Sequence, residues 1–471
     1  MTNSVEVAII GSGPAGLAAA GYLSRQNINS CIIDEQSEPG GQIYRSLGRA
    51  DSSLVSILGD DYRAGKALFD VLDSPNVRMI SEASVWDINA ERRIYYSQRG
   101  RAATLDAKFI ILATGAMERP MPFPGWQLPG VMTAGAGQIL LKSASLLPAR
   151  PLVLAGSGPL LLLLATQYLR AGHHIDALIE TTGREQRLNA MKNAVGAFAK
   201  PDYLGKGLSM IRALKRHGVH YIKGARELKA TGDGAIDTVH CVTATGDHEI
   251  SCETLLVHAG VVPNVQLSRL LGIEHRFDSL QRCWQAVTDK YGFTDIDGIA
   301  IAGDSAAITG AEAAALSGQI VAGRVLQKLK NQPDHGSPDS NADADLRKRL
   351  NRHRRFRPFI DSLYAPSAEF LNPVDETIVC RCEEINAASI REYVRLGCLG
   401  PNQTKALGRC GMGPCQGRFC GLTVSEIIAA ERGVGVEDVG YYRIRPPLKP
   451  ITVAEFASLD ADAPIDEDQS L

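Results

Sequence analysis

The chain has almost no charge imbalance: 50 Lys and Arg stand against 52 Asp and Glu, a formal balance of −2. A general nucleic-acid binder needs a basic excess, so that class is excluded. An unbroken apolar run long enough to span a membrane is also missing. The longest, residues 151–169, is interrupted by Gly156-Ser157-Gly158-Pro159, and a strand, a turn and a buried helix are expected there. Residues 5–10 follow Met1 with no basic leader or small-residue cleavage site, so no signal peptide is expected. Residues 1–330 hold no closely spaced cysteine pair, which excludes thiol–disulfide exchange as the main chemistry. No Ser-His-Asp set or carboxylate pair stands out, so no acid–base catalytic residue is assigned.

What is present points to a soluble, multidomain α/β protein. At 471 residues the chain is long enough for roughly three domains, and 45% hydrophobic against 22% charged residues gives ample core. The 46 glycines suit an α/β enzyme whose tight turns meet phosphates. Ten cysteines divide unevenly. Cys31, Cys241, Cys252 and Cys283 are scattered and read as small buried hydrophobes. The other six fall between 380 and 420, a cluster that reads as metal binding.

Two strand–glycine turn–helix units, at 5–35 and 151–180, share a plan: an apolar run, Gly-Ser-Gly-Pro, an apolar helix, then a strand ending in acid. Strands followed by turns are also expected at 105–116, 254–260 and 296–304, and a helix from Gly310 to Lys328. Residues 331–345 read as an exposed linker. Residues 346–366 carry seven Lys or Arg, and Leu346/Leu350 with Phe356/Phe359/Ile360/Leu363 have helical spacing; the basic residues form either a solvated face or a contact for an acidic partner or a cofactor phosphate. An extended PPLKP segment near 446–450 precedes an acidic end expected to be disordered.

In the first unit Gly11 permits the tight turn, Gly13 lets the backbone approach a pyrophosphate, and Gly16 lets helix and strand pack closely. Pro14 and Ala15 open the helix, whose N-terminus offers unpaired N–H groups and a favourable dipole to the phosphates. An acid must follow on the second strand for a ribose hydroxyl. Asp34 lies 23 residues after Gly11 and Glu35 adjoins it. The sequence leaves both open, with Glu35, five residues before Gly40, slightly favoured.

From these residues the chain resembles the flavoproteins with two dinucleotide-binding domains. Gly40-Gly41-Gln42 resembles their FAD-contacting loop and Ala113-Thr114-Gly115 their crossover between domains. Ala302-Gly303-Asp304 resembles the late motif whose Asp binds the flavin ribityl chain. The helix after Gly310, starting at Ala311, is then expected to aim its N-terminus at the flavin ring. These motifs occur in family order across residues 1–330. The second turn departs from the pattern, because Leu161 stands where a third glycine belongs, although Glu180 follows 24 residues after Gly156. A Rossmann fold is expected there, and NAD(P) is not; a mononucleotide site and a purely architectural pocket both stay open.

The cysteine-rich segment reads Cys380-Arg-Cys382, then 32 residues, then Cys415-Gln-Gly-Arg-Phe-Cys420. Paired thiolates suit an iron–sulfur cluster, whereas zinc sites more often use CxxC pairs. Gly411, Gly413, Gly417 and Gly421 crowd the second pair and offer backbone amides to cluster sulfurs. The stretch resembles the [2Fe-2S] domain of bacterioferritin-associated ferredoxin (BFD-like), in the variant ending GMGPCQGRFC. The resemblance implies Cys380, Cys382, Cys415 and Cys420 as metal ligands. Cys398 and Cys410 fall outside it, with Cys410 close enough in sequence to substitute.

Flavin domain, cluster domain and RPPLKP tail together resemble the FAD-containing subunit of bacterial opine oxidases, D-hydroxyproline dehydrogenases and hydrogen cyanide synthases. That resemblance implies an FAD-binding domain in two parts, 1–145 and 263–330, around an NAD-binding-like Rossmann domain, 146–262. It continues with a linker and basic helix, 331–373, a BFD-like [2Fe-2S] domain, 374–432, and a tail, 433–471. It implies an electron-transfer subunit of a hetero-oligomer acting on the C–N bond of an opine, D-hydroxyproline or related amino acid. The implied partners are an amine-oxidising (DAO-like) flavoprotein subunit that takes the hydride and a small ferredoxin-like subunit. A further flavin, FMN, at a subunit interface is also implied. The expected location is the cytoplasm, with peripheral contact to the inner membrane through the electron acceptor. The alternative is a stand-alone NAD(P)H-dependent reductase, against which Leu161 counts.

Overall fold

The computed structural model describes residues 3–330 and 341–459. The acidic end and most of the expected linker lie outside the described residues. The first sheet is built from β1 (Ser4–Ile10), β2 (Ser30–Ile33), β3 (Val77–Ile80), β4 (Ala83–Ile88), β5 (Arg93–Gln98) and β6 (Arg101–Leu112), ordered β3-β2-β1-β6-β5-β4. The strand Ile299–Ile301 returns late in the chain to pair in parallel with β6. The neighbours of β1 are both parallel, as expected of apolar strands buried on two faces, and Val7, Ala8 and Ile9 are fully buried.

Beyond β7 (Ala116–Glu118) and β8 (Val131–Thr133) the second sheet takes β9 (Leu152–Ser157), β10 (Ala177–Glu180) and β11 (His220–Lys223). An antiparallel meander, β12 (Glu227–Thr231), β13 (Thr238–Thr243) and β14 (Gly246–Ser251), precedes β15 (Thr254–Ala259). The parallel order is β11-β10-β9-β15-β8. Then β16 (Val261–Pro263) pairs antiparallel with β7 and closes the crossover between the two sheets. The long apolar run resolves into β9 and the helix Pro159–Arg170, as its Gly-Pro break implies. Among the described residues no helix is long and apolar enough to cross a membrane.

The late helix Ala311–Leu329 packs against Pro14–Ser24 so closely that a Cβ on Gly318 would run into the Ala15 carbonyl. The basic segment forms the helix Asn341–Leu363, whose Leu350 and Phe356 are buried, and it starts inside the segment expected to be linker. The cysteine segment contributes the helices Ala387–Arg395, Pro401–Gly408 and Gly421–Arg432. Its core is continuous with that of the first sheet: Val379, Cys380, Cys410, Cys420 and Val424 share one apolar cluster with Ile10, Leu112 and Ile301. Tyr442, Ile444 and Leu448 join the same cluster, so the tail as far as 448 packs with the cysteine segment.

Candidate functional site

The first turn is built around contacts that only glycine permits. A Cβ on Gly11, whose φ is +108°, would run into the Ala113 carbonyl, and one on Gly16 into that of Gly11. Gly13 differs: a Cβ there would meet only the Gly41 Cα, at 3.9 Å. Gly41 approaches from the opposite side, and a Cβ on it would lie 2.9 Å from the Gly13 Cα. Two bare backbone segments thus face each other at the N-terminus of Pro14–Ser24, which has no side-chain cap. That is the cradle a pyrophosphate requires.

The two adjacent acids part company. Asp34 is buried; its Oδ2 accepts from Ser12 N at 2.6 Å and Ser12 Oγ at 2.7 Å, and Oδ1 accepts from Gln36 N at 2.8 Å. Glu35 points outward and pairs with Lys449. Successive residues of an extended chain face opposite ways, and the lysine of the PPLKP segment captures the outer one. Of the two acids it is Asp34, not the slightly favoured Glu35, that faces the glycine turn.

The other flavin motifs converge as expected. Thr114 Oγ1 donates to the Asn264 carbonyl at 3.3 Å, and Asn264 N to that of Gly115 at 3.0 Å. Asp304 Oδ1 accepts from Thr309 N at 2.8 Å and Gly310 N at 3.1 Å, fixing the entry to the helix that begins at Ala311. Its Oδ2 has no partner among the described residues. A Cβ on Gly303 would press on the Ala15 Cβ at 2.8 Å, which explains glycine there. Lys142 is a contribution the sequence did not signal. Its buried Nζ donates to the Gln42 carbonyl at 3.0 Å and that of Ile43 at 2.9 Å, tying the flavin loop to the helix Ala134–Ala144.

At the second turn Gly156 and Gly158 both have positive φ, and Leu161 is sunk into the core with Leu141 and Leu154. Glu180 is engaged by Arg187 at 3.1 Å, while burial pushes its carboxyl upward. The buried His258, at the end of β15, lies beneath the turn: a Cβ on Gly158 would be 3.2 Å from its Nε2. Its Nδ1 lies 2.5 Å from Glu118 Oε1, and Glu118 Oε2 accepts from Gly135 N at 2.8 Å. Partners 140 residues apart left no local signal of this dyad.

In the cysteine segment the thiols of Cys380, Cys410 and Cys420 lie within 4.8 Å of one another, all buried. Hydrogen bonds from Cys410 and Cys420, joined by the backbone amides of Gly411 and Glu383, hold the Cys380 thiol far down, at about 2. Cys410 is pushed up to about 12, chiefly by its bond to Cys380. Cys382 and Cys415 meet in a second, more exposed group. The four cysteines of the expected ligand set thus fall into two groups, Cys380 with Cys420 and Cys382 with Cys415. The sequence pattern left out Cys410, which the structure brings to the first group. Gly411 and Gly417 press on the ring of buried Tyr442, so closely that no Cβ fits at either, and this turn carries Cys410 inward. The four scattered cysteines are buried, as expected.

The frame is that of the flavin-dependent oxidoreductases: the family model "Pyridine nucleotide-disulphide oxidoreductase" matches residues 5–319, and "Sarcosine oxidase A3 domain" matches 376–460. Within that class the chain belongs to the family of the opine oxidase A subunits and of HcnB from hydrogen cyanide synthase. It is 41% identical to the A subunit of opine oxidase from Agrobacterium tumefaciens (strain Ach5), covering 98% of this chain and 92% of that one. It is 31% identical to HcnB of Pseudomonas protegens, covering 98% and 99%. In fold it is similar to L-proline dehydrogenase from P. horikoshii, with a TM-score of 0.69 at 21% identity over 97% of this chain and 79% of that one. The chain is thus a flavoprotein oxidoreductase, and its flavin frame is the one in which FAD is bound.

Proposed function

We propose that this chain is the electron-transfer subunit of a hetero-oligomeric dehydrogenase or oxidase acting on the C–N bond of an opine, D-hydroxyproline or a related amino acid. One observation carries the reading: the buried thiols of the cysteine segment share one apolar cluster with Ile10 and Leu112 of the first sheet, and Ile10 stands directly before the glycine turn that forms the flavin cradle. FAD accepts two electrons and releases them singly to a one-electron [2Fe-2S] cluster.

The residues of this chain bind and orient. Gly13 and Gly41 leave room for the pyrophosphate, Asp34 holds the turn, and Asp304 Oδ2 offers an acceptor to the ribityl hydroxyls. Cys380, Cys382, Cys415 and Cys420 hold the cluster, with Cys410 beside them as a hydrogen-bond donor and Tyr442 shielding Cys420. Substrate oxidation belongs to a partner, an amine-oxidising flavoprotein; an interfacial FMN and a small ferredoxin-like subunit fit the same assembly. The purified chain alone should not reduce a dye acceptor with octopine, nopaline or D-hydroxyproline. Co-expression with an amine-oxidising subunit encoded beside it should restore turnover with one of them. Turnover by the chain alone would contradict the electron-transfer role.

A further inference from the structure

Beside the cysteine segment, Arg269 and Leu270 face the segment Arg443–Arg445 across an open cleft of about 800 Å³. Three arginines line it, and no lining residue is acidic. Arg269 is clamped between two aromatic faces, its guanidinium carbon 4.7 Å from the Trp284 ring and 4.6 Å from that of Tyr441. Its Nε and Nη2 are buried without a hydrogen-bond partner among the described residues, as is Trp284 Nε1. Burial pushes Arg269 down to about 10, with no carboxylate opposing it. Arg443 and Arg445 are exposed, and their side chains have no acidic partner among the described residues. Lys405 adds to the same field: Nζ donates to the Arg443 carbonyl at 3.3 Å, and burial, then the charge of Arg445, pushes it down.

An unpaired buried donor is costly, and more so when charged. A guanidinium fork held by aromatic faces is pre-organised for a planar or tetrahedral oxyanion. Leu270, Leu271, Ile444 and Pro446 supply apolar wall beside it. The geometry points to a binding site for a small organic oxyanion. Its carboxylate or phosphate pairs with Arg269, Arg443 and Arg445, and its apolar body lies against those four residues. The site is independent of the electron-transfer reading.

The test uses the full-length holoprotein with phenyl phosphate and phenylacetate as probes, and inorganic phosphate and benzyl alcohol as their separate halves. Calorimetry should show saturable one-site binding of at least one charged aromatic probe, at least about tenfold tighter than inorganic phosphate, since the apolar body adds its own burial. Benzyl alcohol should not bind. The tighter of the two charged probes identifies the head group as phosphate or carboxylate. Fluorescence should respond through Trp284, and Trp284→Phe should remove that response while calorimetric binding persists. Arg443→Gln/Arg445→Gln, at exposed positions that leave the core intact, should weaken binding by about tenfold or more, the worth of a charged hydrogen bond. Arg269→Gln should abolish it. Absence of saturable binding, indifference to the double substitution, or a response that follows ionic strength whatever the anion would each overturn the proposal.

Discussion

Asp34 and Ser12 are joined twice: one carboxylate oxygen accepts from both the backbone N–H and the hydroxyl of Ser12, at 2.6 and 2.7 Å. The link fastens the end of β2 to the glycine turn after β1. Asp34→Ala leaves the buried Ser12 donors unpaired, at about 1.5–3 kcal/mol. It should lower both the flavin content and the unfolding midpoint. Glu35→Ala removes only a partly exposed ion pair and should spare flavin. Absorbance ratios at 450 and 280 nm, with thermal melts of the two variants, check this.

Gly13→Val places a branched side chain between the Gly13 and Gly41 backbones, in the cradle itself. The fold should survive, because Gly13, unlike Gly11 and Gly16, has open space at its Cβ position. Flavin should be lost. Normal far-UV dichroism with no bound FAD is the expected result, and a yellow variant would show that the cradle does not hold the pyrophosphate.

NADH should leave the flavin oxidised on a catalytic timescale. Leu161 occupies the place of a third glycine, and the His258 ring lies beneath the turn. Stopped-flow mixing at stoichiometric NADH tests this directly; rapid bleaching would restore the reading as a stand-alone reductase.

The frame was legible in the sequence because its determinants are local. Gly11, Gly13 and Gly16 lie within one turn and its helix, and the motifs at Thr114 and Asp304 follow in family order. What escaped depends on partners far along the chain. Asp34 and Glu35 were separable only once Lys449 took the outer carboxylate. Cys410 sat outside the ligand pattern until Tyr442, packed on Gly411 and Gly417, turned it inward. The Glu118–His258 dyad and Lys142 join segments about a hundred residues or more apart, and no spacing rule reaches across that distance.

Stability should fall on mild acidification through His275. Burial, then the charge of Arg269, lowers its pKa from 6.5 to about 4. Between those values the unfolded chain binds a proton that the folded chain refuses. The contribution is therefore complete above pH 6.5 and is lost progressively as pH falls toward 4. The total is on the order of 3 kcal/mol. His275→Gln should flatten that part of the profile. Denaturant midpoints of both proteins at pH 7 and pH 5 give the comparison, and parallel losses would exclude His275 as the source.

Cys415→Ser should lose iron and the EPR signal of the reduced cluster while keeping flavin at the distant glycine cradle. Cys410→Ser should keep iron, since a hydroxyl can still donate toward Cys380. Loss of iron from Cys410→Ser would move the ligand set toward the buried trio Cys380, Cys410 and Cys420.

The most direct measurement is the cofactor stoichiometry of the purified, anaerobically handled chain: flavin by absorbance after acid release, iron and zinc by mass spectrometry, and acid-labile sulfide by colorimetry. One FAD, two irons and two sulfides per chain, with an EPR signal on reduction, is the result expected of a flavin and a [2Fe-2S] cluster in one electron-transfer subunit. Zinc without sulfide in the cysteine segment would contradict it.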